Sequence, residues 1–462
     1  MNKTIQAAEA RYETLLSRHG DPAIQAFRDL SSTFIFGDWT LSRVLQPFLL
    51  DESTYAAAMD AAALLFRGLL AILEPPSPVF SRTLEGRPRR RPLLGRAIAR
   101  RALLGGRADM LLTGSGFKIL EFNPTTPDYL PIGVECSDPL ASHFSGMAIM
   151  REFAQEFPGR FVSLQDRLFD SFVCQHARRG GAGIPSLAIV HVPPRAGSHA
   201  GASAADVPPL NPHFLNLFAY LNGRGIGVQL CGIADLEYDG EALAANGTRI
   251  DVAFTAGDPE YLDFCPPDDP LWRAVQDGAV SMACGYPLGS VLDDKGLLAD
   301  LSDPEANRGL DPALVEGLSK VVPWTRRVGD VKTTFGGAPV DLLDFIRSHR
   351  EMLVLKPTLG MGGHGIYLGW EMNQERWVEA LETIPNEYIV QERVVGGRVR
   401  LPNLNDGGMA SEEMFFDLCP FLWSDGRAEG CLVRLSSTPI LNITRGASMA
   451  PVWVLDGRHA AP

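Results

Sequence analysis

Two groups of residues have the types and spacing to do chemistry. The first lies in Val354-Leu-Lys-Pro-Thr-Leu-Gly-Met-Gly-Gly-His-Gly-Ile-Tyr-Leu-Gly369. An apolar run ends in Lys356, a loop with Gly360, Gly362, Gly363 and Gly365 follows, and a second strand resumes. Glycines let backbone N–H groups close on phosphate oxygens without a Cβ in the way, and Lys356 adds a cation. The segment matches neither the Walker pattern nor a G-x-G-x-x-G turn opening a helix. A glycine-rich hairpin without a ligand is the other reading. Downstream, Tyr388-Ile-Val-Gln-Glu392 is an apolar strand ending in two polar residues, Gln391 and Glu392, where backbone groups can meet an adenine edge.

The second group is Arg107-x-Asp109 followed by Glu121-x-Asn123, on two short apolar runs separated by Thr-Gly-Ser-Gly. That is hairpin chemistry, which places Asp109 and Glu121 on adjacent antiparallel strands. Glu121 and Asn123, two apart, share a face. Two carboxylates and an amide oxygen form a hard oxygen site suited to Mg²⁺. A surface hairpin with outward polar positions remains open, because Glu121 interrupts the apolar run Phe117-Lys-Ile-Leu120.

The elements that must hold these groups alternate in type. Residues 1 to about 75 read as helix, stopped by Pro75, Pro76 and Pro78. The basic run Arg87 to Arg91, with Arg96, Arg100 and Arg101, reads as a solvated face or helix flank. A helical stretch covers about 138 to 178. Leu187 to Val192 is a buried strand, Phe214 to Asn222 a helix and Val228 to Cys231 a second strand, which suggests a small Rossmann-like unit. Residues 194–212 read as a mobile loop. Asn246-Gly247 signals a hairpin leading into a strand at 250–254. Short helices are expected at 287–301 and 312–321. From 331 to 395 the pattern is α/β again, with helices at 341–349 and 374–381 and strands at 352–356, 365–369 and 388–391. There is no internal repeat.

At 462 residues with 45% hydrophobic content, the chain is long enough for two or three packed domains. A formal net charge of -13 argues against nucleic acid or an anionic membrane as partner. It leaves room for a nucleotide triphosphate, which needs only a few local cations. The 7 scattered cysteines form no C-x-x-C pair and read as reduced thiols. No signal-like apolar core opens the sequence, and no run approaches the ~18 consecutive apolar residues of a membrane span. A soluble, cytoplasmic protein is the expectation.

In order and spacing these segments resemble the circularly permuted ATP-grasp proteins related to glutathionylspermidine synthetase. Gly285-Tyr-Pro-Leu-Gly-Ser-Val-Leu-Asp-Asp-Lys295, Arg434 in Gly430-Cys-Leu-Val-Arg-Leu-Ser436, and Ile440-Leu-Asn-Ile-Thr-Arg-Gly-Ala447 extend the match to roughly residues 100–455. The resemblance implies an α/β (α+β) protein with an ATP-grasp fold in circularly permuted order, an N-terminal helical segment and a small Rossmann-like domain. The expected divisions are 1–80, helical; 81–180, carrying the metal-binding strands; 181–310, Rossmann-like; 311–395, the ATP clamp; and 396–462, completing the core. By the same resemblance Asp109, Glu121 and Asn123 hold Mg²⁺, and Arg107 stabilises an acyl phosphate. Lys295 and Lys356 contact ATP phosphates under Gly360, Gly362 and Gly363. Gln391, with Glu392 beside it, lies at the adenine, and Arg434 faces the γ-phosphate. The implied activity is an ADP-forming carboxylate–amine ligase acting on a small-molecule acid and an amine such as an amino acid, peptide or polyamine. An ATP-grasp kinase and a nucleotide-binding scaffold are the alternatives. The amidase part of some relatives is not read here, and Pro-Thr-Thr-Pro-Asp-Tyr after Asn123 departs from the glutathione-using members.

Overall fold

The computed structural model describes residues 3–457 apart from 32–34, 37–38, 41–42, 86, 101, 125–128, 193–211, 257–259, 284, 361–362, 386 and 406–407. Its centre is an eight-stranded sheet. Strands β1 (Phe48–Asp51), β2 (Gly105–Thr113) and β3 (Gly116–Pro124) belong to it. So do Gly159–Arg160 and the later strands Arg398–Asn405, Gly408–Trp423, Ala428–Ser436 and Ser448–Leu455. The sequence from 1 to 75 is therefore not wholly helical. Helix α1 (Lys3–Ser31) and helix α2 (Glu52–Ile72) are separated by β1, which pairs in parallel with Ser448–Leu455. A three-residue apolar run such as Phe48-Leu-Leu carries no periodicity that separates strand from helix. Asp51 then caps α2, accepting from the Thr54 N–H at 2.9 Å.

By length and composition α2 is apolar enough to cross a membrane, yet 56% of that stretch is buried inside the protein. Its Tyr55, Ala58, Ala62, Leu65 and Leu69 pack in one cluster with Ala108, Met110, Ile119, Phe122, Phe416, Leu418, Val433 and Leu435 of the sheet.

The hairpin between β2 and β3 forms as expected, with Arg107 opposite Asn123 and Asp109 opposite Glu121. The next pair is Met110 with Ile119, so Leu120 is an extra residue in β3, a β-bulge. The bulge explains how Glu121 can interrupt an apolar run. Phe117 and Ile119 before it and Phe122 after it all enter the core, while Glu121 and Asn123 turn to the opposite face.

A second sheet is wholly parallel, in the order β7-β6-β4-β5, from β4 (Leu187–His191), β5 (Val228–Gly232), β6 (Val252–Ala256) and β7 (Ser281–Met282). Helix Pro212–Gly223 lies between β4 and β5 in the chain, so the Rossmann-like reading holds for these strands. Asn246 and Gly247 take φ of 50° and 75°, as a tight hairpin turn requires. Residues 194–211 of the expected 194–212 loop lie outside the described residues.

The basic run flanks a helix, with Arg91, Arg96 and Arg100 exposed, but Arg89 and Arg90 do not belong to a solvated face. Arg90, only 1% exposed, is bonded to Asp263, and Arg89 donates to the Cys265 carbonyl at 2.6 Å while lying over Trp272. It leads into helix α3 (Arg91–Arg100), whose Leu93 packs in the core under the parallel sheet. The long stems of arginine suit such a seam, but its acidic partners lie far away in sequence.

The third sheet, in the order β8-β11-β9-β10, is antiparallel, from β8 (Thr325–Arg327), β9 (Leu353–Pro357), β10 (Tyr367–Leu368) and β11 (Tyr388–Glu392). Helices Leu342–Ser348 and Gln374–Thr383 cover it, with Leu342, Phe345, Leu353 and Trp377 in their shared core.

Candidate active site

Between the central sheet and the third sheet lies a cavity of about 790 Å³. Its walls include Arg107, Asp109, Glu121, Asn123, Lys295, Lys356, Gly360, Gly363, Gln391, Glu392 and Arg434. Every candidate named from the sequence is thus at one cleft except Gly362, which lies outside the described residues.

The floor is a buried network of charges. Arg434 donates from Nη2 to Asp109 at 2.7 Å and from Nε to both oxygens of Asp417 at 3.2 and 3.1 Å. Arg107 donates to the two oxygens of Asp109 at 2.6 and 3.0 Å. Asn123 Nδ2 reaches Asp109 at 3.1 Å and Glu121 at 3.2 Å. Burial pushes the Asp109 carboxyl up, but Arg107 and Arg434 outweigh it and hold Asp109 well below the usual carboxylate range. At Asp417 burial wins over Arg434 and the carboxyl is raised. Two guanidiniums and two carboxylates balance in charge, which permits so dense a cluster away from water. Asp109 is therefore engaged by arginines in this arrangement, while Glu121 and Asn123 sit nearer the open side.

Two lysines complete the polar wall. Lys356 donates to Gln391 Oε1 at 2.8 Å and approaches the Leu120 carbonyl at 3.4 Å. Burial, and then the charge of Lys295, bring its ammonium down to about 8 against the pull of Glu121 and Asp109. Lys295 donates to the Gly360 carbonyl at 3.2 Å and lies 3.5 Å from Glu121. Burial opposes its charge too, but Glu121 and Asp293 push its ammonium above the ordinary range.

Gln391 is 0% exposed, and its Nε2 donates to Thr325 Oγ1 at 3.1 Å. Its side chain thus holds Lys356 in place rather than presenting an amide to a ligand. Glu392 accepts from the Trp324 N–H at 3.0 Å, tying β11 to β8. In the glycine loop, Gly363 and Gly365 take φ of 70° and 72°, and a Cβ at Gly365 would lie 2.6 Å from the Tyr388 hydroxyl. A side chain there would be strained by the left-handed backbone and would have to displace the Tyr388 hydroxyl.

The sequence reading missed Asp417 and Asp293. Asp417, 3% exposed, stands alone in the apolar run Phe415-Phe-Asp-Leu-Cys419, and a lone acid in a strand core is the signal it offered. Asp293 lines the cavity two residues before Lys295, its carboxyl pushed up to about 6 chiefly by burial.

No known protein family matches the chain as a profile. Uncharacterized proteins of Mycobacterium tuberculosis and Mycobacterium bovis are 23% identical over 362 residues, covering 71% of this chain. The chain spans 63% of the length of those relatives. A glutathione synthetase-like effector from Globodera pallida, solved in its apo form, superposes with a TM-score of 0.57 at 12% identity, over 94% of this chain and 96% of that one. D-cycloserine synthetase shares a smaller part, with a TM-score of 0.29 at 18% identity over 57% of this chain and 74% of its own, too little to support an argument. The chain thus has a mixed α/β fold, shared almost end to end with that glutathione synthetase-like effector.

Proposed function

We propose that this protein is an ATP-dependent carboxylate–amine ligase that forms ADP and joins its two substrates by an amide bond through an acyl phosphate. The observation that carries the reading is the convergence of Arg107, Lys295, Lys356 and Arg434 with Asp109, Glu121 and Asn123 on one cavity. An acidic chain has gathered its cations where a triphosphate and a transferring phosphoryl group would need them.

A carboxylate is a poor acyl donor. It must first attack the γ-phosphorus of ATP, after which the amine displaces phosphate and ADP remains. Lys295 and Lys356 are placed to bind phosphate oxygens, with Gly363 and Gly365 allowing the loop backbone to approach. Arg107, at the cavity wall beside Asp109, is placed to meet the charge that grows on the acyl phosphate. Asp417 orients Arg434 from behind. The donor set fits a hard divalent cation: Glu121 and the Asn123 amide oxygen are hard ligands with room beside them, and Asp109 joins them if an arginine yields an oxygen. Bound there, Mg²⁺ would neutralise phosphate charge.

The decisive experiment supplies Mg-ATP with a panel of amino acids and polyamines, follows ADP release, and adds hydroxylamine to trap an acyl phosphate. Acid-dependent ADP release with a hydroxamate product is expected. A stable phosphorylated product without hydroxamate would replace the ligase reading with a kinase.

A further inference from the structure

Away from the cleft, a cavity of about 80 Å³ opens at the seam between α3, helix α4 (Leu164–Arg178) and the connection from helix α5 (Pro270–Asp277) into β7. Four arginines line it: Arg96 and Arg100, one turn apart on α3, and Arg178 and Arg179 at the end of α4. Among the described residues no carboxylate does. The partners of these arginines are mostly neutral carbonyls. Arg96 donates to the Gln276 carbonyl at 2.9 Å, Arg178 to that of Ser424, and Arg179 to those of Asp251 and Ala279 at 2.6 and 2.7 Å.

Three donors are left over. The exposed Arg100 guanidinium makes no hydrogen bond among the described residues, and Arg179 Nε is buried without a partner. Gln175, 5% exposed and lining the same cavity, leaves its Nε2 unpaired. The cations also converge. The position of a Cβ at Gly278 lies 3.8 Å from a terminal nitrogen of both Arg96 and Arg100. Like charges gathered around unpaired buried donors are unfavourable unless an anion completes them.

We propose that this seam is a binding site for a phosphate-sized tetrahedral oxyanion, separate from the catalytic cleft. The donors come from two separate helices, α3 and α4, and a tetrahedral oxyanion offers them more acceptor oxygens than a flat carboxylate does. Occupancy would tie α3 and α4 to the parallel sheet. The ion is either free phosphate or the terminal phosphate of a larger compound, and both offer the same oxygens.

The test is calorimetric titration of the full chain with inorganic phosphate and, separately, with glycerol phosphate. R100Q is the informative variant, because Arg100 makes no contact whose loss would threaten folding. R96Q is the second. Wild type is expected to show a saturable binding event that each variant weakens at least tenfold, and the probe bound more tightly identifies the source. Any phosphate binding in the main cleft stays the same in R100Q and so drops out of the difference. Affinities unchanged by both substitutions, or no saturable binding by wild type, would overturn the proposal.

Discussion

Lys295 Nζ stands 3.5 Å from Glu121 Oε2, joining the helix start after Asp294 to the bulged strand of the central hairpin. The pair places one positive and one negative group at the same edge of the cavity. A cation bound at Glu121 and a phosphate bound at Lys295 would therefore be immediate neighbours.

Glu121→Gln keeps the shape of the side chain and removes its charge. It is expected to lower ADP formation by roughly 10²-fold or more while leaving the unfolding midpoint close to wild type. Near-wild-type turnover would remove Glu121 from the metal site.

Arg107→Ala should separate binding from chemistry. In the proposed mechanism Arg107 would face charge that develops during phosphoryl transfer, so kcat is expected to fall by roughly 10²-fold while the ATP dissociation constant moves far less. Equal losses in both would make Arg107 a simple nucleotide contact.

Asp417→Asn leaves Arg434 short of a counter-charge in a buried position. Breaking such a pair costs about 3–5 kcal/mol, so denaturant melts should show a clear fall in midpoint. An unchanged midpoint would mean that Asp109 alone satisfies Arg434.

Lys356 gives a pH signature. Its ammonium is lowered to about 8 in the folded chain, against 10.5 for an unburied lysine. Between these values the unfolded chain binds more protons than the folded one, so this group's contribution makes stability rise with pH across that window. Its contribution is flat below about 8. Binding of a triphosphate favours the charged form, so ATP binding should take up protons near pH 8 and weaken above it. Titrations in buffers of different ionisation heat would detect the uptake, and Lys356→Arg, always charged, should abolish it.

The parts of the site that were legible in sequence are those fixed by local chemistry. Thr-Gly-Ser-Gly announced the hairpin, and the glycines after Lys356 announced a loop that only glycine can follow. Asn246-Gly247 announced its own turn. What stayed hidden depends on distant partners. Asp417 gains meaning only beside Arg434 and Asp109, and Arg90 only beside Asp263. The Gln391 side chain is drawn away from a ligand by Lys356, which β9 brings alongside. β1 reads as helix until Ser448–Leu455 offers it an edge.

The extra residue at Leu120 has a consequence for how this cleft can change. It works as a phase shifter: one inserted position decides which parity of the strand sees the cleft. Deleting Leu120 would make the pairing regular and leave Glu121 opposite Asp109, whereas a one-residue slip that straightens the strand with Leu120 kept would turn Glu121 and Asn123 toward the core and Phe122 toward the cleft. The hairpin should therefore tolerate loss of the extra residue far better than a slip of register.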